Sequence, residues 1–274
     1  MGLAHHRPEG RHSGRCGKAL HRSAHRVFVE KEATRLAHLN DLVDRLGLSG
    51  DCTSVTNVHG MCATDLLPTL DRVGAWRGPM FVNLDGWGVD TPYTIVERVG
   101  RGRSSEVLIT FQTQWFTRFA TLKDIDAGDV VFGETGWREV DHQPTDAKKR
   151  FLVDRYLGRL RHAGFAYTLT FEMVDEGGHA LLLVFGTGNC LGVEKMKDAM
   201  WAVDKVSGQR FRDPRDVNQL AFEAMDSHPD LTLLRHQVLE RLQPGPATLE
   251  ELKDFALIGD GVQEGPRRPG RAHA

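Results

Sequence analysis

The sequence predicts an α/β protein with a doubly wound, mostly parallel sheet and an antiparallel hairpin near its C-terminal side. Three observations carry that prediction. Short apolar runs alternate with helical periodicities from Arg26 to Phe111, an order that sets strands side by side with crossover helices on their faces. Two later strand-like runs are joined by Asp175-Glu176-Gly177-Gly178, a connection short enough to hold only antiparallel neighbours. An apolar run also stops abruptly at Asp85 and passes into Gly86-Trp87-Gly88, a carboxylate at a strand end where open α/β sheets build ligand sites.

The elements can be justified in order. Through residue 26, Arg7, Arg11, Arg15, Lys18, Arg22 and Arg26 stand against Glu9 alone, with His5, His6, His12, His21 and His25 among them. No apolar segment follows these charges, so they do not form a secretory signal. Residues 1–24 read as a basic, His/Gly-rich, mostly disordered leader with a short helix over 18–24. The histidines lack ligand spacing and are not read as a metal site. Residues 26–32 read as a buried strand ending in acid. Ala33, Leu36, Leu39, Leu42, Val43 and Leu46 repeat at helical spacing, with Gly47 as the stop. Residues 52–58 form the next strand, and Leu66, Leu67 and Leu70 mark a helix over 63–73. A strand over 80–84, a helix over 92–99 and a strand over 106–111 complete the alternation.

The pattern then changes. Residues 115–122 are amphipathic, and 128–137 read as a loop-rich insertion. Phe151, Leu152, Tyr156, Leu157 and Leu160 share one face of a strong helix over 148–163, closed by Gly164. The hairpin strands span 165–174 and 179–185, and a helix over 192–205 carries Met196, Met200, Trp201 and Val203. These elements make one α/β domain over residues 25–211. Residues 216–258 read as a small helical unit, with helices over 231–242 and 248–255. Thr248-Leu249-Glu250-Glu251-Leu252 is a helix start. Two such helices are expected to open a partial winged-helix-like unit. Residues 259–274, rich in Gly, Pro and Arg, read as a disordered tail.

Bulk composition narrows the class. The chain has 274 residues, 40% hydrophobic and 26% charged, with a formal net charge of −2, which is ordinary for a globular protein. No run approaches membrane-spanning length. Cys16, Cys52, Cys62 and Cys190 make no Cys-x-x-Cys pair, so reduced thiols in a cytoplasmic protein without a zinc site are expected. Asp85 has two readings at this level. It caps the helix that follows or satisfies a turn amide, or it belongs to a site.

The order of motifs resembles the three-Cys-motif partner proteins, methyltransferase-like proteins of bacteria and archaea. The resemblance rests on Val27-Phe28-Val29-Glu30-Lys31-Glu32, Phe81 to Gly88, Ser105 to Phe111, Trp115 with Arg118-Phe119, and Trp137-Arg138. It continues through Gly164-Phe165, Phe171-Glu172-Met173, Leu183 to Thr187, and the run from Gly192 to Trp201. It implies a Rossmann-like, methyltransferase-type sheet with S-adenosylmethionine as cofactor. It also implies a genomic-neighbour partner carrying the cysteine motif, and DNA or RNA as further partners. The family's turn reads Asp-Pro-Phe-Gly, whereas Asp85-Gly86-Trp87-Gly88 stands here. In amino-methyltransferases the equivalent turn accepts the target amine's hydrogens and its aromatic stacks on a flipped base, which implies Asp85 and Trp87 as catalytic residues. Glu30 falls where an acid binds ribose hydroxyls; the competing reading is a carboxylate favoured at a helix N-terminus. Glu32 reads as a first-turn helical acid, and Trp115, Trp137 and Trp201 as core or groove aromatics.

One expected part is missing. Such sheets begin with a strand and a Gly-rich turn that receives the methionine part of the cofactor, yet Gly10, Gly14 and Gly17 follow no apolar run. That strand would lie between those ending at Glu30 and Asp85, which both read as apolar on both faces. Unpaired buried edges would cost about 1–3 kcal/mol per group, against about 5–15 kcal/mol of total stability. The two strands therefore close on each other, another segment fills in, or the chain is truncated at both ends; the third is the expectation. Two functions follow: an S-adenosylmethionine-dependent methyltransferase, impaired in this chain, or a non-catalytic partner or nucleic-acid-binding component on the same scaffold. A metal hydrolase using Asp85 ranks last, since no second acid or His stands at useful spacing.

Overall fold

The computed structural model describes residues 24–50, 53–86, 89–102, 104–122, 124–212 and 229–258. It is a mixed α/β protein that divides into two compact units, Met1–Thr69 and Leu70–Ala274. Of the leader, only Ala24 is described, and it opens a strand instead of closing a helix. The expected 259–274 tail and the stretch 213–228 also lie outside the described residues.

The first unit is a β-α-β arrangement. Strand β1 (Ala24–Glu30) pairs in parallel with β2 (Thr53–His59), from Ala24 opposite Thr53 to Glu30 opposite His59. Helix α1 (Ala33–Arg45) connects them and buries Val43. It stops where the sequence indicates. Gly47 takes φ +58°, a left-handed value glycine adopts without strain, and Leu48 N–H returns to the Val43 carbonyl. Helix α2 (Cys62–Arg72) spans the division between the units. The expectation of a strand buried on both faces fails here. No residue of β1 or β2 is buried, because a two-stranded sheet has too little surface to enclose both of its faces.

The second unit holds a five-stranded mixed sheet in the order β3-β4-β6-β5-β7. Strands β3 (Met80–Leu84) and β4 (Ser105–Phe111) are parallel and joined through α3 (Tyr93–Gly100). The hairpin strands are β5 (Tyr167–Val174) and β6 (Ala180–Thr187). The later strand, β6, lies antiparallel between β4 and β5. Asp175 shapes the hairpin turn by accepting the N–H groups of Gly177 and His179, and Gly178 takes φ +77°. A short β7 (Arg210–Arg212), which the sequence reading leaves out, adds in parallel to β5.

β3 is an edge strand, with β4 its one strand neighbour among the described residues. Its side chains alternate. Val82 and Leu84 are buried, whereas Phe81 is 59% exposed and Asn83 is exposed. The reading of β3 as apolar and buried on both faces is therefore also corrected. Its five residues present one inward face, and the other face lies open.

The core lies on the inward face, under α3 and α6 (Lys148–Ala163). Ile95, Val96 and Val99 from α3 meet Leu152, Tyr156 and Leu160 from α6, all with at most 1% of their surface exposed. The segment read as a loop-rich insertion is instead part of this core. It overlaps α5 (Ala127–Phe132) and the start of a 3-10 stretch (Gly136–His142), while the amphipathic segment before it forms α4 (Thr113–Phe119). Phe116, Phe132 and Trp137 from these pieces are fully buried: Phe116 and Phe132 pack on Phe111, whose ring stacks on Tyr156 with centroids 4.4 Å apart, and Trp137 packs on Phe116 and Phe132. Gly, Thr and Asp punctuate that stretch in sequence and mask a hydrophobic pattern spread over two short elements.

Helix α7 (Cys190–Val203) opens with Asn189, whose side chain accepts the Leu191 N–H. The C-terminal helices are α8 (Thr232–Leu242) and α9 (Leu249–Ile258). Thr248 and Glu251 form the reciprocal capping box that the sequence announces. Thr248 N–H donates to the Glu251 carboxylate at 2.7 Å, and Glu251 N–H donates to the Thr248 hydroxyl at 3.2 Å. Neither α8 nor α9 buries a residue. Lys197 of α7 donates to the Ala256 carbonyl at 3.0 Å, and burial lowers its ammonium pKa from the usual value. These two helices are what the described residues contain of the expected winged-helix-like unit.

Candidate functional site

Asp85 is set by strand register. The last paired residues of β3 and β4 are Leu84 and Ile109, both buried on the inward face. One step further, Asp85 and Thr110 therefore share the opposite face, at the C-terminal ends of two parallel strands. The Thr110 hydroxyl donates to Asp85 Oδ1 at 2.7 Å. Asp85 is exposed; one carboxylate oxygen is held by the scaffold, and Oδ2 accepts no hydrogen bond among the described residues. The bland reading, Asp85 as a helix cap, is not what the geometry gives: α3 is preceded by Pro92 without a side-chain cap.

The turn after Asp85 explains its glycine. A Cβ on Gly86 would stand 2.8 Å from the Thr91 hydroxyl oxygen, and Thr91 is buried. The chain folds tightly over Thr91, and any side chain at Gly86 would have to push it aside. Trp87 and Gly88, the aromatic and final glycine of the expected turn, lie outside the described residues.

Glu30 ends β1 in the first unit. Its Oε1 accepts the Glu32 N–H at 2.8 Å, just ahead of α1. The carboxylate thus performs the N-terminal duty that the sequence reading gave to Glu32, which precedes the helix and makes no side-chain cap. Nearby, His59 at the end of β2 bonds the Lys31 carbonyl at 3.0 Å, and Gly60 N–H donates to the Glu30 carbonyl at 3.1 Å. Glu30 Oε2 accepts no hydrogen bond among the described residues. A carboxylate that embraces both hydroxyls of a ribose would need its two oxygens, and one is already engaged.

Among the described residues of the second unit, two open cavities lie apart from Asp85. One, about 440 Å³, is lined by Ala120, Thr121, Asp129, Arg138, Asp141 and His142. Its chemistry is structural. Asp129 accepts from Trp137 Nε1 at 2.6 Å and from Arg138, while Arg138 also donates to the carbonyls of Leu122 and Ile125. The other, about 490 Å³, lies around Lys149, Glu172, Ser207 and Arg210, and Lys149 is already paired with Glu172. Behind it, burial opposes the charge on Asp204. The Ser207 hydroxyl and the N–H groups of Ser207, Gln209 and Arg210 outweigh burial and hold that carboxyl far below the ordinary range.

Among the described residues no three His, Cys, Asp or Glu side chains gather as metal ligands, and no helix is long and apolar enough to cross a membrane. Trp137 is fully buried and Trp201 packs on Gly208. Sequence reasoning missed Thr110 as the partner of Asp85, although its signal was present: a hydroxyl residue at the end of the neighbouring strand with matching parity. In comparisons with known proteins, no family model, no curated protein and no solved structure matches the chain.

Proposed function

We propose that this chain is a methyltransferase-like protein whose Asp85 end of the sheet receives a hydrogen-bond donor, with methyl transfer from S-adenosylmethionine as the reaction. The observation that carries the reading is the Thr110–Asp85 pair at the C-terminal ends of parallel strands, the end where open α/β sheets bind ligands. The insertion of β6 between β4 and β5 suits the Rossmann-like, methyltransferase-type sheet that the sequence resembles. In this reading, by the resemblance alone, Glu30 is the acid assigned to the cofactor's ribose, and Asp85 and Trp87 are the residues assigned to the acceptor. S-adenosylmethionine would supply the methyl group. The acceptor class is nucleic acid, the setting is cytoplasmic, and the partner is a genomic-neighbour protein carrying a three-Cys motif.

A second reading has its own observation. Glu30 already spends one oxygen on Glu32 N–H, which favours a non-catalytic component that keeps the scaffold to bind its partner or nucleic acid. Calorimetry with S-adenosylmethionine separates the two. Binding tighter than about 100 μM, roughly 5.5 kcal/mol, and abolished by Glu30→Ala supports the methyltransferase. Absence of binding by the wild-type chain removes it and leaves the scaffold reading.

A further inference from the structure

We propose that Thr110 is a positioning residue that selects the rotamer of Asp85 and so decides where Oδ2 points. The inference rests on the reading of Asp85 as the acceptor-side group, and it adds a residue that the motif itself does not contain. Asp85 has little local restraint of its own. It is exposed, lies one step past the end of β3 and precedes a glycine. Thr110, by contrast, stands within β4, whose pairing with β6 continues through Thr110 opposite Leu183 to Phe111 opposite Leu182. A β-branched side chain in a strand has few χ1 choices. Its hydroxyl is therefore a donor on a fixed arm, 2.7 Å from Oδ1. The rigid partner orients the free one.

The register makes the pairing specific. Asp85 and Thr110 face the same way because Leu84 and Ile109 face the other way, into the core. A slip of one residue between β3 and β4 would turn either Leu84 or Ile109 outward, so the packing of the core also maintains this polar contact. Positioning of a reacting group at this level changes turnover more than affinity.

The test uses the full chain, labelled with ¹³C and ¹⁵N, without cofactor or acceptor. Three-bond couplings from the backbone N and carbonyl carbon to Asp85 Cγ report its χ1. Wild type and Thr110→Ser are expected to show one rotamer, and Thr110→Val, which keeps the shape but removes the donor, averaged couplings at an unchanged melting temperature. Unchanged couplings in Thr110→Val would overturn the proposal; should that variant not fold, Thr110→Ala is read in the same way. Where methyl transfer is measurable, Thr110→Val should lower kcat about tenfold or more with KM for S-adenosylmethionine unchanged, and Thr110→Ser should restore it. Averaged couplings in a chain whose wild type transfers no methyl group would uphold the positioning role and refute the functional reading.

Discussion

Gly100 and Gly164 meet backbone to backbone where α3 and α6 end. A Cβ on Gly100 would stand 2.3 Å from the Ala163 carbonyl oxygen, and one on Gly164 would stand 2.7 Å from the Gly100 carbonyl oxygen. Gly164 also takes φ +116°. The two glycines let the helices that roof the core approach to backbone distance, so the core chain from Ile95 to Leu160 depends on residues with no side chain. Gly100→Ala should therefore destabilise by about 1–3 kcal/mol through overpacking. Gly164→Ala should cost at least as much, because backbone strain adds to the clash. Urea unfolding of the two variants measures both, and a loss below 0.5 kcal/mol, roughly the limit for a neutral surface change, would contradict the close approach.

Tyr156 is the converse case, a polar atom in an apolar place. Its ring stacks on Phe111, and its buried hydroxyl has no hydrogen-bond partner among the described residues. Burial, with a smaller contribution from Tyr93, pushes its ionisation well above the usual value of 10.0. The folded state thus favours the neutral phenol. That contribution is whole below pH 10 and is lost as the pH rises through the folded-state value. Tyr156→Phe is expected to keep or raise stability, by up to about 1 kcal/mol, and to flatten the loss of stability in alkali. Thermal melts of both proteins across that range decide it.

Asp204 organises the exit from α7 into β7. Its Oδ1 accepts the N–H groups of Val206 and Ser207, and its Oδ2 accepts the Ser207 hydroxyl and the N–H groups of Gln209 and Arg210. Burial works against the charge, and these donors still hold the carboxyl below its ordinary value of 3.8. Its stabilisation is present above that value and disappears as the pH falls below it. Asp204→Asn turns an amide NH₂ toward groups that are themselves donors. It should cost about 1–3 kcal/mol at neutral pH and weaken the acid dependence of stability, as followed by circular dichroism from neutral pH downward.

Arg138 clamps the segment between α4 and α5. It reaches the Leu122 and Ile125 carbonyls and the Asp129 carboxylate, and it lies over the Trp137 ring at 4.9 Å. Arg138→Ala should cost about 2 kcal/mol through the carbonyls it leaves unpaired and the Asp129 charge it leaves with Trp137 Nε1 alone. It should also make the segment around residues 120–126 the first point of proteolytic cleavage. Arg138→Lys should rescue little, since one ammonium cannot serve three acceptors in a planar fork. Limited proteolysis with mass spectrometry reads both effects, and cleavage unchanged in Arg138→Ala would remove the clamp.

Much of the framework was legible in residue patterns. The apolar spacing of α1 with Gly47 behind it, the Asp175 turn, the capping box at Thr248 and Glu251, and Gly164 at the end of α6 are local devices, readable because cause and effect lie within a few residues. The buried insertion escaped that reading. Phe132 sits on α5, too short to show a period, and only its meeting with Phe111, Phe116 and Tyr156 makes it core, whereas Trp137 reads from the sequence as a core or groove aromatic and is buried. Strand burial escaped it as well. Apolar residues in β1 and β3 resembled interior strands, but burial depends on how many neighbours a strand acquires.

The candidate site divides in the same manner. That a carboxylate ends the run from Met80 to Leu84 is written in the sequence, because an apolar pattern breaks at Asp85. That Thr110 meets it, that Thr91 lies under Gly86, and that Glu30 turns back onto Glu32 depend on register and chain path, which bring together groups up to 25 positions apart. By itself the sequence determined the places of β1 to β6 and of α1, α2, α3, α6, α7, α8 and α9, where several of them start and stop, and that β5 and β6 form a hairpin. Only the tertiary structure decided strand order, which faces stay open and which hydroxyl holds Asp85. The physical reason is range: propensity, capping and turn chemistry act along the chain, whereas burial and register are properties of neighbours that only folding supplies.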